Sequence, residues 1–248
     1  MCLPTPSRPA SKLNSDSPPK ALTLDAAGTL FTVARPVGET YAGFAREFAI
    51  PVTVEQLNRQ FRTLFPRMPP LAFGRCAEAE RLRQERNWWQ TLVRNCLGAH
   101  GRHAQFPAFF NRVYDYYASP QAWRLYPDCA PELERLADRG IPVSVVSNFD
   151  SRLEKIIEAL GIRHLFRHIH YSSRSGSAKP QPAIFTSACE RLQVAPADTL
   201  HVGDSYPLDV QGASRAGLQA LWLDRSADSS GDALIHTLTG LAEHLSSR

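Results

Sequence analysis

The apolar run Ala21-Leu22-Thr23-Leu24 passes directly into Asp25-Ala26-Ala27-Gly28-Thr29. A short apolar run of this kind predicts a buried strand. Periodicity then changes. Tyr41, Phe44, Ala45 and Phe48 recur at spacings of three or four. So do Trp88, Leu92 and Cys96 with their neighbours Trp89 and Val93, and the set Phe109, Phe110, Val113, Tyr114 and Tyr117. These spacings predict helices, punctuated by Pro51, Pro66, Pro69-Pro70, Pro107 and Pro120. From Tyr126 onward strands and helices alternate. Strands are predicted at 143–146, 168–171, 199–202 and 219–223, and helices at 151–160, 183–192, 208–216 and 233–245. Gly161 and Gly217 stand where two of the helices close.

Strands alternating with helices predict an α/β fold, a doubly wound parallel sheet with helices on both faces. The strand at Leu22 joins that sheet, so residues 21–32 and 125–248 form a Rossmann-like core. Residues 33–124 form an inserted all-helical domain. Residues 1–20, with five prolines and almost no apolar content, are expected to be a disordered lead-in without the apolar core of a secretory leader.

Composition narrows the function classes. With 43% hydrophobic and 21% charged residues, the chain reads as a soluble globular protein. No apolar run approaches the roughly 18 residues of a membrane span. Half of the net charge of +4 comes from Arg8, Lys12 and Lys20 against Asp16, and no basic stripe is interleaved with aromatics. Neither a nucleic-acid partner nor a membrane is expected. Cys2, Cys76, Cys96, Cys129 and Cys189 are odd in number and form no Cys-x-x-Cys pair. They are expected to be unpaired, mostly core residues of a cytoplasmic protein. Oligomeric state is not readable.

Four segments carry candidate chemistry. Asp25 stands at the carboxyl end of a strand, where α/β sheets bind ligands. It is either a nucleophile or a turn cap. Ser147-Asn148 follows the strand at Val143 and can donate to an oxyanion or cap a helix. From Ala21 onward only Lys155 and Lys179 are lysines. Lys179, directly before Pro180, is either a point charge for a phosphate or carboxylate or a solvated surface group. Leu200-His201-Val202-Gly203-Asp204 is a strand running into Gly-Asp, with Asp209 five residues later. Asp25, Asp204 and Asp209 converging at one sheet end would repel one another unless a cation intervenes, and hard oxygen ligands suit Mg²⁺. His201, within an apolar strand, reads as a satisfied core residue. Arg81, Arg83, Arg86, Trp88 and Trp89 are candidates to face the core. The favoured reading packs the tryptophans within the helical insert and leaves the arginines solvated.

These segments, in this order, resemble the haloacid dehalogenase-like (HAD) hydrolase superfamily, and the insert resembles its helical cap. The runs at Phe65-Pro66, Trp88-Trp89 and Ser147–Asp150 are similar, more loosely, to one subgroup of it. The resemblance implies a Mg²⁺-dependent phosphatase acting on a small phosphorylated metabolite, with Asp25 forming an aspartyl-phosphate. It implies that Ser147 and Lys179 hold the phosphoryl oxygens, with Thr29 and Asn148 also at the substrate. Asp25, the Ala27 carbonyl and Asp204 would hold Mg²⁺, with Asp209 supporting them. Phosphatases of this family carry a second Asp two residues after the nucleophile, as acid and base. Here that position is Ala27, so slow hydrolysis of alkyl phosphates is expected, with less penalty for acyl or aryl leaving groups. Two other readings stay open: a non-catalytic binding protein on the same fold, and a 2-haloacid dehalogenase, whose halide leaves without a proton. A phosphonate-cleaving relative would need a cap lysine, and residues 21–154 contain none.

Overall fold

A computed structural model describes residues 18–226 and 233–246; most of the expected disordered segment 1–20 lies outside them. Six strands form one parallel sheet: β1 (Ala21–Leu24), β4 (Val143–Ser147), β5 (His168–Tyr171), β6 (Thr199–Gly203), β7 (Gln219–Leu223) and β8 (Leu234–Ile235), in the order β5-β4-β1-β6-β7-β8. The chain builds outward from β1 through β4 to β5, then crosses to β6 on the other side. β1 is therefore flanked by β4 and β6, with Leu24 opposite Val145 and Val202. The carboxyl ends of these three strands meet where the order reverses, and open α/β sheets form their binding crevices at such points.

Alternation of side chains sorts the sheet residues onto two faces. Leu22, Leu24, Val143, Val145, Leu200, Val202, Leu221 and Leu223 pack under α5 (Cys129–Asp138), α6 (Arg152–Ala159) and α10 (Leu241–Ser246). On the other face Val146 and Ala220 pack with Ile184, Phe185 and Ala188 of α8 (Pro182–Leu192) and Ala213 of α9 (Gln211–Arg215). That second face also buries two polar residues, Thr23 and His201, whose Oγ1 and Nδ1 lie 2.9 Å apart. The Rossmann-like α/β core expected from the alternating pattern is the fold observed.

Across residues 34–122 the regular structure is helical: α1 (Val37–Glu47), α2 (Val54–Leu64), α3 (Glu78–Cys96) and α4 (Phe106–Tyr116), with a loop over 68–77 between α2 and α3. These helices bury their own cluster, including Tyr41, Leu57, Leu92, Phe109 and Val113. A two-stranded antiparallel ribbon, β2 (Phe31–Val33) with β3 (Trp123–Leu125), joins the places where this stretch leaves and returns. Periodicity missed the ribbon because each strand is three residues long. α7 (Ser172–Ser175) is a single turn after β5. One long final helix over 233–245 is not what forms. Leu234 and Ile235 pair with Trp222 and Leu223 as an edge strand, and the helix begins at Leu241. Among the described residues no helix is long and apolar enough to cross a membrane. Cys96, Cys129 and Cys189 are buried and Cys76 exposed, all unpaired.

Candidate active site

The cleft at the switch point has a volume of about 460 Å³. Its floor comes from strand ends: Asp25 after β1, Ser147 and Asn148 at the end of β4, Asp204 after β6, with Lys179 and Asp209 between them. Lys179 is 5% exposed. Its Nζ donates to Asp25 Oδ1 and to Asp209 Oδ1, each at 2.6 Å. Burial opposes the ammonium charge, but the Asp209 and Asp25 carboxylates hold its pKa above the ordinary lysine value. Lys179 is therefore a fixed cation beside the Asp25 carboxylate. It precedes the helix by more than the sequence suggested, because α8 opens at Pro182.

Asp209 lies in the wide π-helical turn Tyr206–Val210 and is 1% exposed. Oδ1 receives Lys179 and lies 3.0 Å from His201 Nε2, and Oδ2 accepts from the Ser205 N–H at 2.9 Å. Burial alone would raise its pKa; Lys179 and His201 hold it well below the usual carboxylate range. His201 is the satisfied core residue expected, and it also links Thr23 in β1 to Asp209. Asp204, by contrast, stands exposed to the cleft. Protein packed around its base, and then the Asp25 and Asp209 charges, push its pKa up to about 7.

Carboxylate oxygens of Asp25, Asp204 and Asp209 lie within 4.8 Å of one another. One ammonium against three carboxylates leaves negative charge in excess, which the raised Asp204 registers. Hard oxygen donors crowded in this way fit a divalent cation such as Mg²⁺. Two glycines make the crowding sterically feasible. A Cβ at Gly28, whose φ is +96°, would fall on the Asp204 carboxylate, and a Cβ at Gly203 would fall on Asp209. Both Asp209 oxygens are engaged by protein donors, so Asp25 and Asp204 are the carboxylates of the three left open to the cleft and Asp209 stands behind them.

The other expected site residues divide. Ser147 lines the cleft. Asn148 lines it too, but its amide clasps the Lys179 backbone: Nδ2 donates to Lys179 O at 2.9 Å, and Oδ1 accepts from Lys179 N at 2.7 Å. Its contact is with Lys179, a positioning contact that spacing could not reveal. Thr29 departs from expectation. It is 0% exposed and does not line the cleft, because the turn after β1 points it into the core. Ala27 is exposed and lines the cleft, and among the described residues the acids lining the cleft are Asp25, Asp204 and Asp209.

The opposite wall is supplied by the helical stretch and is wholly uncharged: Phe65, Pro66, Met68, Pro69, Pro70 and Leu71 as an outer lip, with Trp88 and Trp89 behind it. The favoured expectation that these tryptophans pack within the helical insert holds, since both pack against its cluster and on Phe65, and they also line the cleft, which that expectation left out. The three arginines do not line it. Arg81 lies beside Glu85, Arg83 pairs with Glu80, and Arg86 stacks on Phe110 and Tyr114. Glu85, fully buried, ties α3 to the core by accepting from Ser151 Oγ at 2.5 Å and Ser173 Oγ at 2.6 Å. Trp89 Nε1 donates to Asp150 Oδ2 at 2.5 Å, and Asp150 in turn holds Arg152.

Comparison with known proteins agrees with this architecture. A family model described as haloacid dehalogenase-like hydrolase matches residues 19–217. The haloacid dehalogenase-like hydrolase domain-containing protein 3 of Mus musculus is 36% identical over 208 residues, 81% of this chain and 80% of its own length. A phosphoserine phosphatase of Thermus thermophilus is 33% identical over 112 residues, 44% of this chain and 45% of its own. The magnesium-bound HAD-hydrolase YfnB from Bacillus subtilis superposes with a TM-score of 0.71 at 20% identity, covering 93% of this chain and all of its own. With the fold, the ordered motifs and these matches in agreement, the chain belongs to the haloacid dehalogenase-like hydrolase family, in the subgroup of domain-containing protein 3.

Proposed function

We propose that the protein is a Mg²⁺-dependent phosphatase that works through an aspartyl-phosphate on Asp25 and favours leaving groups that depart without a proton. The observation that carries this reading is the Lys179 ammonium, 2.6 Å from Asp25 and 2.6 Å from Asp209, beside a cleft-facing Asp204. A carboxylate nucleophile needs its own charge balanced and the phosphoryl oxygens neutralised, and a fixed cation at its shoulder does both. The Lys179–Asp25 contact leaves Asp25 Oδ2 as the attacking atom. Ser147 contributes a hydroxyl donor to the phosphoryl oxygens, and Asn148 acts through Lys179. Asp25, Asp204 and the Ala27 carbonyl would hold Mg²⁺, which would offset the charge of the phosphoryl group and the nucleophile. The helical stretch acts as a cap that excludes water.

In the first step Asp25 Oδ2 bonds to phosphorus as the bond to the leaving oxygen breaks, and that oxygen departs with the electron pair. Water then hydrolyses the acyl phosphate, returning the carboxylate and releasing phosphate. No side chain at position 27 can protonate the leaving oxygen, so acyl and aryl oxygens leave most readily.

The test is steady-state phosphate release from acetyl phosphate and phenyl phosphate, with and without Mg²⁺, beside Asp25→Asn. Metal-dependent release that disappears in the variant is expected. Folded wild-type protein that releases no phosphate from either, or an Asp25→Asn enzyme with undiminished turnover, overturns the reading. Chloride release from 2-chloropropionate would assign the site to dehalogenation instead.

A further inference from the structure

A second cavity, of about 300 Å³, adjoins the cleft. Ala27, Phe65, Trp89 and Asn148 line both spaces, so the two meet at the residue where an acid is missing. The cavity runs back from Ala27 between the helices and the ribbon. Its walls are almost entirely aromatic and aliphatic, with Phe61, Phe110, Tyr114, Trp123 and Phe149 among them. Among the described residues the cation lining it is Arg152, which is paired with Asp150. Nε and Nη2 donate to Asp150 at 2.9 and 2.6 Å, and the guanidinium stacks on Tyr114 at 4.2 Å. Burial pushes the Tyr114 and Tyr117 hydroxyls up to about 12, so neither brings a charge. The neutral Tyr117 hydroxyl, buried without a hydrogen-bond partner among the described residues, can meet a single hydroxyl on a ligand, but no free charge lines the space to match a carboxylate or a second phosphate, and burying an unpaired charge is unfavourable.

From this we infer that the cavity receives the leaving group of the substrate, and that the substrate is an aryl phosphate whose ring is about the size of a fused bicycle. The inference rests on the proposed phosphatase reading and adds the substrate class. Size sets the upper bound: a cavity of about 150 Å³ holds one benzene ring, and the volume here is twice that. Ring edges and faces of Trp89, Phe110 and Trp123 offer stacked and edge-on contacts to a flat ligand. Chemistry points the same way as shape. An aryl oxide leaves as the anion, carrying the electron pair of the broken P–O bond; its ring lies in the cavity while its oxygen stays at the cleft end beside Ala27 and takes its proton there from water, so the methyl of Ala27 costs it little. The products are the free phenol and inorganic phosphate, with one water consumed.

The probes are 1-naphthyl phosphate, acetyl phosphate and 1-naphthol. Val33→Phe and Val37→Phe fill the cavity from β2 and α1, at positions that are only half-buried, and thermal melts check that each variant folds. The expected result is that the ratio of kcat/KM for 1-naphthyl phosphate to that for acetyl phosphate falls at least tenfold in both. An unchanged ratio in folded variants overturns the inference. Should wild type hydrolyse neither phosphate, the phosphatase reading fails separately, and the cavity is then read by binding. Titration of 1-naphthol should quench the fluorescence of Trp89 and Trp123 in wild type and much less in Val33→Phe. Equal quenching in both proteins, or none in wild type, overturns the inference.

Discussion

Asp25 and Asp204 face the cleft while Asp209 behind them is saturated by Lys179, His201 and the Ser205 N–H, so three similar carboxylates are differentiated by their partners. Gly28 makes that arrangement feasible, and Gly28→Ala would both strain a φ of +96° and push on Asp204. It should raise the Mg²⁺ concentration needed for half-maximal activity by at least about tenfold, the usual scale for disturbing a metal-site support; a metal titration checks this. Ala27→Asp supplies the missing acid. Turnover of an alkyl phosphate such as glycerol phosphate should rise by about 10²–10⁴, while phenyl phosphate changes little. A fall in kcat/KM on both substrates would count against the leaving-group argument. The carboxylates were legible in sequence because they follow strands or stand in the turn before a helix, and Lys179 because it is one of only two lysines after Ala21. Thr29 was not, because the direction of a side chain inside a turn depends on how that turn packs. His201 as a partner of Asp209 depends on how the turn after β6 folds back over its strand, and its contact with Thr23 on the pairing of β1 with β6, neither of which a local pattern encodes.

Among the elements, β5 carries a titratable liability. His170 is 7% exposed, and its Nε2 has no partner among the described residues. Burial, and then the positive charges of Arg191, His168 and Arg174, lower its pKa to about 4. Unfolded, the imidazole takes up its proton near pH 6.5; folded, it resists until about pH 4. The unfolded chain therefore binds more protons in that window, and stability present above pH 6.5 is lost as pH falls toward 4. A shift of this size corresponds to roughly 3 kcal/mol. His170→Phe should flatten the decline in urea midpoint between pH 7 and pH 4, and a parallel decline in the variant would assign the pH sensitivity elsewhere. Most of the sheet was readable because buried parallel strands are continuous apolar runs. The last helix was misplaced because Leu234-Ile235 reads equally as the start of a helix or as a two-residue edge strand, and only the neighbouring β7 decides.

Across the whole molecule, the run Ser147-Asn148-Phe149-Asp150 joins chemistry to architecture. Ser147 faces the cleft, Asn148 clasps Lys179, Phe149 packs on Trp123 of the ribbon, and Asp150 receives Trp89 and Arg152. Glu85 is the second tie between helices and core. Glu85→Ala would strand the Ser151 and Ser173 hydroxyls and should destabilise the protein by about 2–4 kcal/mol. Urea unfolding measures the loss, and Glu85→Gln, which keeps an acceptor, should recover part of it. These ties were invisible to periodicity, since helical spacing marks which residues are apolar and leaves open which neighbour each one meets. The outer lip of the cleft, Phe65 to Leu71, carries Pro66, Pro69 and Pro70, and each ring locks one backbone angle. Ordering an ordinary loop over a ligand costs about 1–2 kcal/mol for each residue fixed. Here three φ angles are fixed before any ligand arrives, so the doorway has less settling left to do, and affinity is eroded less than it would be by a segment free to wander.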